Sequence, residues 1–354
     1  MKILIIQQKM IGDVLTSTIL CENIKRFAED ASVYFMAHEG TLPVLLNNPY
    51  IDEIIPFRAE YRENYKSLFQ FIRTIDKNDF DVIIDVYGKL ETNLIVARMS
   101  ASQKIGYYKW YSNFLYTHPV KRSGSSQHGL PLAIEDRLRL LQPVLPEISP
   151  DDLRHQPRIY LSDEEKKEAA DFLKKHNIDR QNKIFMISVL GSGSNKTYPY
   201  AYMARLLDKL VSHQSPTLLF NYIPSQQTEV QAIYELCLPE TRNHIRLDAF
   251  APSLRGFMGI LSECDALIGN EGGAVNMAKA LDIPTFAIFS PWIPREGWGL
   301  FEGEKHQSVH LKDFHEQFFS HQTVRHLRKK SIDLYRRFSP DLIWPRLKTY
   351  LESL

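Results

Sequence analysis

Apolar and polar residues alternate along this chain in blocks rather than singly, and the blocks set the first expectations. Ile3 to Gln7 reads as a strand buried in a parallel sheet, and Gly12-Asp13 opens a helix to about Phe27 through Val14, Leu15, Ile19, Leu20 and Ile24. The pattern then predicts a strand at Val33 to Ala37, a helix around Leu42 to Leu46, a strand near Ile54-Ile55, a helix from Tyr65 to Ile75 and a strand at Val82 to Val86. A short strand at Lys104 to Gly106 is followed by Tyr107 to Leu130, which has little periodicity and reads as a long loop. A helix from about Ile134 to Leu145 follows, after which Pro146, Pro150 and Pro157 punctuate a polar connection.

The alternation restarts with Ser162-Asp163-Glu164-Glu165, a capping box opening an amphipathic helix to about His176. Strands are predicted at Ile184 to Val189, Thr217 to Phe220, Ile245 to Leu247, Ala266 to Ile268, Thr285 to Phe289 and Ser308 to Leu311. Helices are predicted between them at Tyr200 to Val211, Ser225 to Leu236, Ser253 to Leu261 and Gly273 to Leu281. Strand-helix order in both halves predicts an α/β protein of two doubly wound, Rossmann-like domains facing a cleft, with ligands at the carboxyl ends of the strands. The expected divisions are 1–158, 159–320 and a helical segment, 321–354, whose last helix starts at Ser339-Pro340.

Length and composition narrow the class. With 354 residues, 44% hydrophobic and 24% charged, this is an ordinary globular composition with room for two cores. Lys+Arg of 43 against Asp+Glu of 42 argues against a global attraction to nucleic acid. Cys21, Cys237 and Cys264 lack metal-ligand spacing and read as core residues in a reducing cytosol. No apolar run is long enough to span a bilayer and the N-terminus enters a strand directly, so a soluble or peripheral protein is expected.

Three segments carry candidate chemistry. Ala266 to Leu281 runs from a strand through Asn270-Glu271-Gly272-Gly273 into a helix, a turn suited to holding an anion such as a diphosphate, or to packing that needs small residues. Gly191-Ser192-Gly193-Ser194-Asn195-Lys196 follows the first strand of the second half and is a second candidate phosphate cradle, or an exposed turn with a solvated lysine. Asp13, at the start of the first helix, suits a general base, or an N-terminal aspartate satisfying free N–H groups.

Other features are less specific. Tyr107, Tyr108, Trp110 and Tyr111 could stack on sugar rings, touch lipid headgroups or simply pack. Lys121, Arg122, His128 and Arg137 could approach an anionic acceptor. Arg325, Arg328, Lys329, Lys330, Arg336 and Arg337 form a solvated basic face or a contact with an anionic membrane. The chain has no His-Glu-x-x-His, no Gly-x-Ser-x-Gly and no paired cysteines, which disfavours metal-dependent catalysis.

Taken together, Met1 to Asp13 with Ile11-Gly12-Asp13, Asn48 to Asp52, Gly191 to Pro199, and Gly269 to Leu281 followed by Pro284 resemble glycosyltransferase family 9, the ADP-heptose:lipopolysaccharide heptosyltransferases. The resemblance implies a GT-B architecture in which the first domain takes the acceptor, the second takes the nucleotide-sugar, and the last helix crosses back to the first domain. It implies Asp13 as catalytic base, Lys196 on the donor phosphates or sugar, and a diphosphate cradle built from Asn270, Glu271, Gly272, Gly273, Ala274 and Asn276, with Ser192 and Ser194 beside Lys196. The family usually shows Asp-Ser/Thr-Gly and a later histidine where this chain has Glu271-Gly272-Gly273 and Asn276, and an acidic residue for the ribose where only Glu229 is nearby. The implied reaction is inverting, metal-free transfer of a sugar, heptose from ADP-heptose foremost, onto a lipopolysaccharide-core or related acceptor at the cytoplasmic face of the inner membrane, with no cofactor beyond the donor. A nucleotide-sugar epimerase or hydrolase, and a non-catalytic nucleotide-sugar-binding protein, are the alternatives.

Overall fold

Strand β1 (Lys2–Ile6) is apolar on both faces and fully buried from Ile3 onward, so it can only sit inside a sheet covered on both sides. It is an inner strand of a parallel sheet that also holds β2 (Ser32–His38), β3 (Glu53–Phe57), β4 (Val82–Asp85), β5 (Gln103–Tyr107) and β6 (His118–Val120). The order is β3-β2-β1-β4-β5-β6, with Ile5 paired to Phe35 on one side and Ile84 on the other. The order reverses between β1 and β4, which makes their carboxyl ends the topological switch point of this sheet.

These elements belong to the first of two compact units, Met1–Tyr160 and Leu161–Leu354, in a computed structural model that describes residues 1–126 and 129–354, with Glu296 described by its backbone alone. The division falls two residues beyond the expected boundary. The first helix, Ile11–Phe27, buries almost every side chain from Gly12 to Ile24. Its buried threonines are satisfied locally, Thr16 Oγ1 donating to Gly12 O at 2.8 Å and Thr18 Oγ1 to Leu15 O at 2.7 Å.

Several expected elements differ for stated reasons. Leu42 to Leu46 was expected to be helical, but the turn is a 3-10 helix at Glu39–Val44, because Pro43 offers no N–H to extend it. The helix expected over Ile134 to Leu145 is Leu132–Arg139, followed by tight turns as far as Pro143 and beyond. The long segment after Tyr107 contains the short edge strand β6 and a 3-10 turn at Asn113–Leu115. Pro119 sits within β6, where only one side needs ladder donors.

In the second unit, β7 (Ile184–Ser188), β8 (Thr217–Phe220), β9 (Ala266–Asn270), β10 (Thr285–Ile288) and β11 (His306–Val309) form a parallel sheet in the order β11-β10-β9-β7-β8. The switch point lies between β7 and β9. The capping box forms as expected, Glu165 N donating to Ser162 Oγ at 3.1 Å and Ser162 N to Glu165 Oε2 at 2.8 Å. The strand expected at Ile245 to Leu247 is a single bridge to Leu218.

Residues 321–354 join the core of the second unit. The last helix, Pro340–Glu352, lies on the helix Tyr200–Gln214 and buries Ile343, Leu347 and Tyr350, while Tyr198 donates its hydroxyl to Phe338 O at 2.7 Å. Cys21, Cys237 and Cys264 are free and buried. Among the described residues no helix is long and apolar enough to cross a membrane.

Candidate functional site

In the first unit the chain leaves β1 at the switch point and turns into the helix Ile11–Phe27, which places Asp13 in that helix's first turn. Its carboxylate does not serve the free N–H groups of the turn. Arg137 Nη2, from the helix Leu132–Arg139, donates to Asp13 Oδ1 at 2.7 Å. The same guanidinium donates from Nε to Ser17 Oγ at 3.0 Å and from Nη1 to Ala133 O at 2.5 Å, and Ser17 Oγ donates in turn to Asp13 O at 2.7 Å. Arg137 is only 6% exposed, whereas the Asp13 side chain keeps 28% of its surface open.

Arg137 was expected to meet an anionic acceptor; its donors are instead occupied within the protein, and it acts as a brace that fixes the Asp13 carboxylate. Lys121 and Arg122 are exposed cations on the segment after β6. Arg122 lies over the Tyr107 ring at 3.9 Å and 3.5 Å from buried Asp136, while Lys121 stands 5.8 Å from the Tyr108 ring. Burial pushes the Tyr107 phenol up to about 12, although Arg137 and Arg122 pull the other way. His128 lies outside the described residues.

A second polar cluster at this end of the sheet escaped sequence reasoning. Gln8 is fully buried immediately after β1, and its Oε1 accepts from Arg62 Nη2 at 3.2 Å. Arg62 also reaches Tyr87 OH at 3.2 Å and Glu91 at 2.9 Å, leaving Gln8 Nε2 and Arg62 Nε without hydrogen-bond partners. The available signal was a pair of glutamines directly after an apolar strand, a costly place for an amide unless it is used.

In the second unit both glycine-rich loops leave the strands at the switch point, one after β7 and one after β9. The first folds on itself: Thr197 Oγ1 accepts from Gly191 N at 3.1 Å and donates to Gly193 O at 2.9 Å. A Cβ at Gly191 would fall 2.2 Å from Lys196 O, so only glycine fits. Ser192 and Ser194 are exposed and Lys196 is half-buried.

Asn270, expected to contact a donor, is fully buried and serves as a brace. Its Nδ2 donates to Ser188 O and Val189 O, each at 2.9 Å, and its Oδ1 accepts from Tyr198 N at 2.7 Å, which ties the two loops together. The open part of the turn begins at Gly272, whose φ is +152° and whose missing Cβ would meet nothing within 4 Å. The helix Gly273–Ala280 starts there, so the N–H groups of Gly273 and Ala274 have no acceptor in a preceding turn. Asn276 is half-buried with its N–H on Gly272 O at 3.2 Å.

Glu271 faces Lys196 from this turn, Oε1 to Nζ 3.9 Å, and its Oε1 has no hydrogen-bond partner. Burial pushes its carboxyl above the usual range and Lys196 pulls it partly back. Three neighbours were not foreseen. Trp292 donates its ring N–H to Asn195 O at 2.8 Å and has the Lys196 and Arg328 cations at 5.6 and 5.1 Å from its ring, and buried Tyr335 feels the charge of Glu271. Trp292 follows β10, and the carboxyl-end rule for such sheets was the signal that could have found it. Glu229 lies on the helix Gln227–Leu236 after β8.

A family model described as glycosyltransferase family 9 (heptosyltransferase) matches residues 68–317. Lipopolysaccharide heptosyltransferase 1 of Campylobacter coli is 25% identical over 292 residues, covering 82% of this chain and 84% of that protein. The crystal structure of a family 9 glycosyl transferase from Veillonella parvula superposes with a TM-score of 0.82 at 16% identity, over 100% of this chain and 98% of that one. Heptosyltransferase WaaC of E. coli, solved with ADP-2-deoxy-2-fluoro heptose, gives 0.66 at 15% identity over 96% and 98%. The two structural likenesses show a shared fold.

Proposed function

The chain belongs to glycosyltransferase family 9, and we propose that it transfers a heptose or closely related sugar from an ADP-linked donor to a saccharide of a lipopolysaccharide core or similar envelope glycan, with inversion and without a metal. The observation that carries this reading is Asp13 held by Arg137 at the carboxyl end of β1, a partly open carboxylate with its orientation fixed. Asp13 takes the proton of the acceptor hydroxyl while that oxygen attacks the anomeric carbon. The bond from that carbon to the diphosphate oxygen breaks, and its electron pair leaves with ADP.

The departing charge falls to Lys196, the hydroxyls of Ser192 and Ser194, and the N–H groups of Gly273 and Ala274. Glu271, with an unused carboxyl oxygen, suits hydroxyls of the donor sugar better than phosphate oxygens. Lys121 and Arg122 suit a phosphorylated or carboxylated acceptor. The heptosyltransferases named above support the sugar and nucleotide in this reading, which has the enzyme work at the cytoplasmic face of the inner membrane.

The test is ADP release from ADP-heptose with and without a core saccharide, beside GDP- and UDP-sugars. The expected result is release from the ADP donor that depends on the acceptor. Acceptor-independent conversion would favour an epimerase or hydrolase, and donor binding without turnover across acceptors a non-catalytic binding protein.

A further inference from the structure

From Thr92 to Ile134 the chain has no aspartate or glutamate, yet it carries Arg98, Lys104, Lys109, Lys121 and Arg122. Within that stretch, the turn after β5 exposes large rings: Trp110 is 82% exposed, Phe114 78% and Tyr111 54%, with Leu90 at 66% on the neighbouring helix Leu90–Arg98. Exposed apolar groups gathered in this way mark an interaction surface.

Their exposure does not come from a loose backbone. Tyr108 N donates to Val120 O at 2.7 Å, and Ser112 N and Asn113 N both close on Lys109 O at 3.0 and 2.9 Å. Lys109 Nζ donates to Gly88 O, which ties the turn to the start of the helix bearing Leu90. Tyr116 anchors the far end, its ring in the core and its hydroxyl donating to buried Asp85 at 2.9 Å. A fixed frame therefore turns Ser112 and Tyr116 inward and holds Trp110, Tyr111 and Phe114 out.

We propose that this rim, Trp110, Tyr111 and Phe114 with Leu90, docks the first unit on an anionic lipid bilayer. Trp and Tyr carry an apolar body with a polar edge and suit the headgroup layer, while Phe114 and Leu90 supply apolar surface for the acyl boundary. Exposed Lys121, 5.8 Å from the Tyr108 ring, and the absence of acidic residues from this stretch complement anionic headgroups, and the nearest carboxylate in sequence, Glu91, is already paired with Arg62. Stacking on a free saccharide would not account for Leu90, which has no ring to stack. The rim grows directly out of Tyr107, whose phenol feels the charges of Asp13 and Arg137. Docking would thus bring the base near a lipid-borne acceptor; that purpose rests on the function proposed above, whereas the docking itself does not.

Flotation of the full chain with phosphatidylcholine vesicles, with and without phosphatidylglycerol and with neither substrate present, tests it. The wild type is expected to float with the anionic vesicles and much less with the neutral ones. The double variant Trp110→Ser/Phe114→Ser is expected to lose at least about tenfold in partitioning while its turnover of a water-soluble acceptor is unchanged. Leu90→Ser and Phe114→Ser, made singly, give the same reading if the double variant does not fold. A wild type that stays off anionic vesicles overturns the proposal, as do variants that float like the wild type. A raised KM for the soluble acceptor with flotation unchanged would assign the rings to sugar instead.

Discussion

The two switch points of this molecule are built alike and finished differently. At the carboxyl end of β1, Asp13, Arg137, Ser17 and Ala133 O form a closed set of hydrogen bonds, leaving only part of one carboxylate open. Beyond β7 and β9 only the frame is closed, by Asn270 and Thr197. Around that frame Lys196 and Glu271 stand 3.9 Å apart, Ser192 and Ser194 are exposed, and the helix at Gly273 starts with free donors. A base has to be held at one point before the reaction, whereas a site for a departing anion keeps its donors for the ligand.

That contrast can be broken most forcefully at Asp13. Asp13→Asn keeps the shape of the side chain and removes the proton acceptor, and turnover should fall by about 10²–10⁴ with the fold intact. Steady-state kinetics beside circular dichroism check this. On the other side, Asn270→Ala leaves two buried carbonyls and one N–H without their partner. It should cost about 3 kcal/mol of stability, read as a lower urea midpoint, and disturb both donor loops at once.

Arg137 sharpens the comparison. Arg137→Ala should lower kcat by about 10–100-fold with the donor KM unchanged, and Arg137→Lys should recover only part of it, because one ammonium cannot replace three donors in a fork. A shift in donor KM instead would remove the brace from the first unit's account. A smaller effect concerns His306 on β11, which burial, with Lys279 and Lys305 nearby, lowers from 6.5 to about 4. Because the unfolded chain takes up this proton first, stability contributed here is full above pH 6.5 and declines as pH falls toward 4. His306→Gln should flatten that part of the wild-type urea-midpoint profile.

Much of this was legible in the residues. Continuous apolar strands and the glycines at 191, 269, 272 and 273 marked both sheets and the two loops of the second unit, because strand period and glycine geometry are local properties. Asp13 and Lys196 were visible as candidates for the same reason. Arg137 and Asn270 were assigned to ligands because their partners are far away in sequence: Asp13 and Arg137 are separated by 124 positions, and Asn270 binds backbone near Ser188. Nothing local distinguishes an arginine that braces from one that binds. The last helix shows the same limit: its apolar stripe says that it packs, but not on which surface.

The division of labour is tested most directly by calorimetric titration of ADP into the wild type, Asp13→Asn and Lys196→Ala, without acceptor. The account predicts that Asp13→Asn binds ADP within about twofold of the wild type while Lys196→Ala binds at least about tenfold more weakly. Equal losses in both variants, or undiminished binding by Lys196→Ala, would contradict it.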